Sequence, residues 1–341
     1  AIETPSILFW TLYENNPNKT NTDLYNFTKN ITDDNNGSIQ ASNRKALRNC
    51  ILFYSASDNA AQIITSENFL NGSPNEWDVS QITDMSYLCQ NSTFNADISN
   101  WDTRNVTDMK YMFSASNWNK QFDKFNGDIS KWDTSNVTDM EGMFRYNQSF
   151  DCSGNNINTS VQTRKDTNGN DEKYLAWDVS NVTNMSYMFN VRTSGYTNVF
   201  NNDIGNWNTI NVTNMSWMFR DAVSFNKRIG EKEVDFSSDG FEKYTAWNTS
   251  NVSGLGMEAL FMGASQFNNG SVDANGNSSS DPQHPLVLDF TNATSMYRIF
   301  WNCTNFNSPI YNWKNTGNVT TMYQMFKNAV SFNQEIRTWD V

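Results

Sequence analysis

The chain is poor in the residues that punctuate or staple ordinary folds: 6 prolines, 4 cysteines and a single histidine in 341 residues. Cys50, Cys89, Cys152 and Cys303 are too few for a disulfide-built scaffold. None lies within four residues of another, which excludes the usual zinc spacings. Basic residues are in the minority, 24 against 36 acidic ones, for a formal charge of −12. A broadly basic surface for nucleic acid or anionic lipid is therefore not expected. No apolar run approaches the ~18 residues of a membrane span. The opening AIETPSILFW lacks the basic segment of a signal peptide and reads as a mature N-terminus. Without charge runs or low-complexity tracts no linker stands out, which leaves either two or three ordinary domains or one long repeat array.

What is present decides for the array. Trp77, Trp101, Trp132, Trp177, Trp207, Trp247, Trp313 and Trp339 bound similar blocks, and Leu288 takes the same place in one more. Each block reads W-D-x-S-N-V-T-x-M-x-x-M-F, a small residue, then F-N-x-D-I-x-x-W. Clean copies run from Trp77 to Trp101 and from Trp313 to Trp339, a period of 24 to 26 residues. Longer intervals insert loops between the Met-Phe pair and the next Trp. Val106, Met109, Met112 and Phe113 are spaced as one short helical turn requires, with Thr107 as its N-cap and Thr138 with Glu141 at capping-box spacing. Ile98 to Val106 reads as extended. Asp78, Asp102, Asp133 and Asp178 are placed to bond the backbone two or three residues on, as Asx turns do. The apolar burial of one block falls well short of the cost of ordering it, so the coils have to stack.

Blocks such as WDTSNVTDMEGMF (132–144) and AVSFNQEIRTWDV (329–341) resemble the BspA-like leucine-rich-repeat surface proteins, in their short W-D-x-S-x-V-T-x-M branch. The lead-in before Trp77 is similar to that of algal-type members. The resemblance spans about residues 43–341 and implies an extracellular, noncatalytic protein of surface coats or adhesion. The expected fold is α/β: a right-handed leucine-rich-repeat-like solenoid with one short strand and one short helical turn per coil of about 25 residues. Residues 1–42 form an N-terminal arm, 43–76 a capping helix and bridge, and 77–341 the repeats. The departures are the long insertions, Asn208 and Asn248 in place of the repeat Asp, and GLGMEALF (254–261), which shifts the methionine frame.

The repeat's N-V-T spells N-glycosylation acceptors at Asn105, Asn136, Asn181, Asn211, Asn251 and Asn318. With valine turned inward, Asn and Thr both face out. The same asparagines also suit a backbone-satisfying ladder at the coil corner, and both readings stand. At the front, NRKALRNCILFYSAS (43–57) places Ala46, Leu47, Cys50, Ile51 and Tyr54 on one helical face, a natural cap. Cys89 replaces a repeat Phe beneath it, which makes a Cys50–Cys89 disulfide attractive against two buried thiols. Cys152 and Cys303 are left free or paired elsewhere. SILFWTLY (6–13) is apolar and strand-like. It either folds back on its own cap or, through Ile7, Leu8, Phe9 and Trp10, completes another subunit's open edge and builds a fibre.

Little points to chemistry. His284, in DPQHPL, lacks a nucleophile motif around it, and the aspartates form a repeating row rather than an acid/base pair. Asp166-Thr-Asn168-Gly-Asn170 and Asp273-Ala-Asn275-Gly-Asn277 alternate oxygens as calcium sites do, but the glycine is misplaced and Asn-Gly favours a hairpin turn. No enzyme, cofactor, nucleic-acid partner or membrane span is expected. The expected function is that of an extracellular structural glycoprotein, a head-to-tail subunit of a surface filament or coat. The alternative is a monomeric cell-surface adhesion module that binds a glycan or protein on one face.

Overall fold

The computed structural model describes residues 44, 47, 48, 51, 74–115, 124–151, 157–166, 168–191, 199–272 and 284–340. From Trp77 onward the chain is laid down as a column of successive coils. Parallel bridges join Asp84 to Asp108, Asp108 to Asp139, Asp139 to Asn184 and Asn184 to Asn214, one residue per coil. Further along, Gly254 bridges Ala293 and Ser295 bridges Thr321. One apolar cluster runs without a break from Leu47 to Trp339.

The segment expected as a helical turn is a run of β-turns. In the second coil the N–H of Met112 donates to Met109 O and that of Ser114 to Tyr111 O. The intervening N–H groups of Met109, Tyr111, Phe113 and Ala115 donate to Asp139, Glu141, Met143 and Arg145 of the next coil. A helix would spend nearly all these donors on itself; here half of them go to the neighbour, so the segment is satisfied only in a stack. The route demands a left-handed residue: Tyr87, Tyr111, Gly142, Tyr187, Trp217, Ala259, Arg298 and Gln324, at one position in successive coils, all have φ between 48° and 62°. For a non-glycine residue this costs on the order of 1 kcal/mol or more, and it persists because the ladder over-determines it. The strand of each coil is likewise reduced to isolated bridges. Thr107 and Thr138, expected as helix caps, instead donate through Oγ1 to Thr83 O and Thr107 O of preceding coils, each at 3.1 Å.

Side chains repeat with the backbone. Phe113, Phe144, Phe189, Phe219, Phe261, Phe300 and Phe326 stack with centroids 5.6–5.7 Å apart. Beside them runs a second column that includes Phe225, Phe267, Phe306 and Phe332. Tryptophans form a third, with Trp101 over Trp132 at 6.2 Å and Trp177 over Trp207 at 6.0 Å. Most indole N–H groups of this column reach back to an earlier carbonyl, as Trp177 does to Ile129 O at 2.8 Å. Asp78, Asp102, Asp133 and Asp178 each accept the N–H two residues on, and Asn208 and Asn248 do the same. GLGMEALF proves to be a two-residue insertion. Ser253 N–H donates to Thr213 O while Met215 N–H donates to Gly256 O, so Gly254 and an exposed Leu255 are extra relative to the preceding coil, while Gly254 keeps its bridge to the next.

Two insertions are antiparallel hairpins. β1 (Ser160–Lys165) pairs with β2 (Asp171–Ala176) ahead of Trp177, and β3 (Lys232–Val234) with β4 (Tyr244–Ala246) ahead of Trp247. Lys173 Nζ reaches Asp239 Oδ1 at 3.0 Å and ties the two together.

At the front, Arg44, Leu47, Arg48 and Ile51 are helical, and Leu47 and Ile51 are buried. Ser86, Leu88 and Gln90 of the first coil present carbonyls that in every later coil accept from a predecessor. Arg44 Nη1 donates to Ser86 O at 2.8 Å, Arg48 Nη1 to Leu88 O at 3.0 Å and Arg48 Nη2 to Gln90 O at 3.3 Å. Two arginines one helical turn apart thus close the edge of the column.

Candidate functional site

Two surfaces repeat from coil to coil. On the N-V-T corner burial alternates exposed, buried, exposed, as in Asn181, Val182 and Thr183. Nδ2 of each asparagine donates to the preceding coil at 2.7–2.8 Å: Asn105 to Ser80 O, Asn136 to Arg104 O, Asn181 to Ser135 O, Asn211 to Ser180 O, Asn251 to Ile210 O and Asn318 to Thr291 O. Asn292 belongs to the same row, donating to Ser250 O at 2.8 Å. The N-A-T triplet at 292–294 could have revealed it, but Ala293 replaces the valine used to align the repeat. The threonines make a second row, Thr183 onto Thr138 O and Thr213 onto Thr183 O. The ladder accounts physically for both letters of the sequon, and one hydrogen of each Nδ2 remains toward solvent.

The second surface is the run of β-turns, where aromatic and cationic side chains interleave. Tyr87 stacks on Tyr111 at 5.3 Å, Tyr187 on Trp217 at 6.2 Å and Tyr297 on Tyr323 at 5.8 Å. The Arg145 guanidinium lies 4.7 Å from the rings of both Tyr146 and Tyr187, that of Arg220 4.8 Å from Trp217, and that of Arg298 4.0 Å from Trp301. Tyr111 leans over Gly142, where a Cβ would meet its ring at 2.4 Å. Sequence reasoning missed this face, because its members sit at variable repeat positions.

Other expected residues are dispersed. Cys89 is a free, buried thiol, and Cys50, its expected partner, lies outside the described residues. Burial pushes the Cys89 thiol well above its usual range, against the opposing charge of Arg48. Cys303 is also free and buried, and its Sγ donates to Phe261 O. Cys152, Asp273, Asn275, Asn277 and the segment Ile7, Leu8, Phe9 and Trp10 lie outside the described residues. Asp166 Oδ1 accepts the N–H groups of Asn168 and Asn170, both at 2.8 Å, which is the work of a hairpin turn. His284 is partly buried, and burial together with Arg228 lowers its pKa.

A family model described as "Mycoplasma protein of unknown function, DUF285" matches residues 53–171, 164–241 and 279–341, well over half of the chain. The chain belongs to the DUF285 family. The stretch between the DUF285 matches contains the Gly254–Leu255 bulge, where the repeat frame shifts. No curated protein and no solved structure matches the chain. No helix among the described residues is long and apolar enough to cross a membrane.

Proposed function

We propose that this DUF285 chain is an extracellular structural glycoprotein, a right-handed leucine-rich-repeat-like solenoid that associates head to tail in a surface filament or coat. The observation that carries the reading is that the recurring polar side chains turn onto the neighbouring coil or their own backbone: the Asn and Thr rows, the indole N–H groups and the Asx-turn aspartates. Such a molecule invests its chemistry in continuing itself. The likeness of its repeat to BspA-like surface proteins supports the same reading.

Growth would use the ladder. Met322, Gln324, Phe326 and Asn328 correspond to Met296, Arg298, Phe300 and Asn302, whose N–H groups bind the following coil, and these four donate to no backbone carbonyl among the described residues. Half-buried Met322, Phe326 and Phe332 and exposed Tyr323 and Val330 accompany them. Arg44 and Arg48 already occupy the carbonyls of the opposite edge, so whatever pairs with these N–H groups, a further coil of the same chain or a segment of another molecule, brings carbonyls of its own. Residues 6–13, with Ile7, Leu8, Phe9 and Trp10, supply it from a second molecule, and a heterologous contact of that kind propagates. Glycans attach at Asn105, Asn136, Asn181, Asn211, Asn251 and Asn318 through the solvent-side hydrogen of Nδ2, which leaves the ladder bond in place.

Negative-stain images and light scattering test the assembly. Regular fibres that vanish on deletion of residues 1–13 are expected; monodisperse rods at high concentration would refute it. Intact mass before and after glycosidase treatment tests the glycans. The alternative, a monomeric adhesion module, has one observation in its favour: aromatic and cationic side chains interleave on the turn face.

A further inference from the structure

Asn-x-Ser/Thr triplets are scattered through the chain, and the structure sorts them by where the asparagine amide points. Several are spent inside the fold. Asn147 is buried; its Nδ2 donates to Phe125 O at 3.1 Å, and its Oδ1 accepts the N–H groups of Ser149 and Phe150. Asn269 is fully buried, with Nδ2 donating to Pro285 O at 2.9 Å and Oδ1 accepting the Ile229 N–H. Asn158 is buried too, and its Oδ1 accepts the Asn206 N–H at 2.7 Å. In these three triplets the amide works as an interior joint.

Asn292 is the opposite case. It is exposed beside a fully buried Ala293, just as Asn181 is exposed beside a buried Val182. One hydrogen of its Nδ2 is held by Ser250 O at 2.8 Å, and the other is left toward solvent. The corner is fixed from both sides: Thr294 N–H donates to Gly254 O, and Thr294 O accepts the N–H and Oγ1 of Thr320. Its coil lies between those of Asn251 and Asn318, whose Nδ2 groups make the same bond to Ile210 O and Thr291 O, both at 2.7 Å. With Asn292 the file of exposed amides runs coil by coil from Asn105 to Asn318. Without it, one coil is blank.

We infer that Asn292 is a further N-glycosylation site, and that the glycans of the folded chain form one unbroken file along a single flank of the column. The inference rests on the glycoprotein reading and extends it. In the transfer, Nδ2 attacks C1 of the reducing-end sugar of a lipid-linked oligosaccharide. The N–C1 bond forms and the C1–O bond to the lipid diphosphate breaks; the diphosphate leaves with the electron pair, and Nδ2 gives up one proton. The acceptor is modified as an extended segment, so the fold decides which products survive. At Asn292 the sugar takes the solvent-side place and the bond to Ser250 O stays. At Asn147, Asn158 or Asn269 a bulky polar group would have to enter a packed interior, and a chain that carries one there does not close its coil. Coils lie about 4.8 Å apart, less than the breadth of a substituted pyranose. Neighbouring glycans therefore crowd into a continuous ridge, which keeps this flank from lateral contact and leaves the ends of the column for association.

The test uses the full chain, secreted in folded form from a glycosylating eukaryotic cell. After denaturation, an amidase that releases N-glycans acts in heavy-oxygen water, and mass spectrometry maps the labelled aspartates. A parallel digest without the amidase corrects for spontaneous deamidation at Asn269-Gly270. Label is expected at Asn292 together with Asn105, Asn136, Asn181, Asn211, Asn251 and Asn318, and not at Asn147, Asn158 or Asn269. Thr294→Val removes the hydroxyl of the triplet and spares the Asn292–Ser250 bond; it should lower the intact mass by one glycan and abolish label at Asn292 alone. Thr294→Ser should keep that glycan, and Asn292→Gln should lose it. Label at the other six without Asn292, label at a buried triplet, or an intact mass unchanged in Thr294→Val would overturn the inference. No label at any of the seven would overturn the glycoprotein reading and this inference with it, an outcome distinct from a gap at Asn292 alone.

Discussion

Asp221 offers a quantitative test of how tightly the coils are packed. It is 7% exposed, has φ 58°, and donates its N–H to Met262 O at 2.7 Å. The next coil leaves it no room: a Cβ on Gly263 would fall 2.0 Å from Asp221 Oδ1. Burial is the largest influence and pushes the carboxyl from 3.8 up to about 6, against the attraction of Arg220. A rise of about two units corresponds to about 3 kcal/mol. Because the folded carboxyl holds its proton more tightly than the unfolded one, the stabilisation is complete below the unfolded value. It is lost as pH climbs through about 6, so at neutral pH the buried carboxylate is a burden. Asp221→Asn removes the charge, keeps the shape and suits a left-handed residue. Thermal and urea melts should find the variant more stable than the parent at about pH 8, by up to about 3 kcal/mol. Near pH 3.5 the advantage should shrink to the part due to backbone preference. An equal difference at both pH values, or a variant less stable at pH 8, would refute the argument.

Further outcomes follow from the ladders. Arg48→Ala should speed amide exchange across residues 85–91 and cost about 1–3 kcal/mol, with Lys failing to restore a fork that serves two carbonyls. Asn181→Ala should cost about 0.5–1.5 kcal/mol in chemical denaturation, and adding Asn318→Ala should cost a similar further amount because the sites are remote. Phe261, fully buried between Phe219 and Phe300, should cost about 3–5 kcal/mol on change to Ala. Phe332→Ala, at the half-buried edge of the same core, should cost clearly less in the same melts.

The repeat was legible because burial leaves a linear trace. Val106, Met109, Met112, Phe113 and Trp101 recur at fixed spacing since each fills one place in every coil, and the Asx-turn aspartates are local, two residues from the groups they bind. The turn conformation was not legible: the spacing of Val106, Met109 and Met112 suits a helical turn and a run of β-turns alike. The choice rests on whether alternate N–H groups find carbonyls in the next coil, a fact about neighbours. For the same reason Arg44 and Arg48 read only as polar positions of an apolar helix, although they close the column's edge.

The sequence alone therefore determined the period, the inward side chains and the exposed Asn-x-Thr corner, because identical coils write identical local patterns. Tertiary structure decided what lines up across insertions of unequal length. Arg145, Asn190, Arg220 and Trp301 share no motif, and only stacking brings them into one row, with polar atoms that no neighbouring coil satisfies.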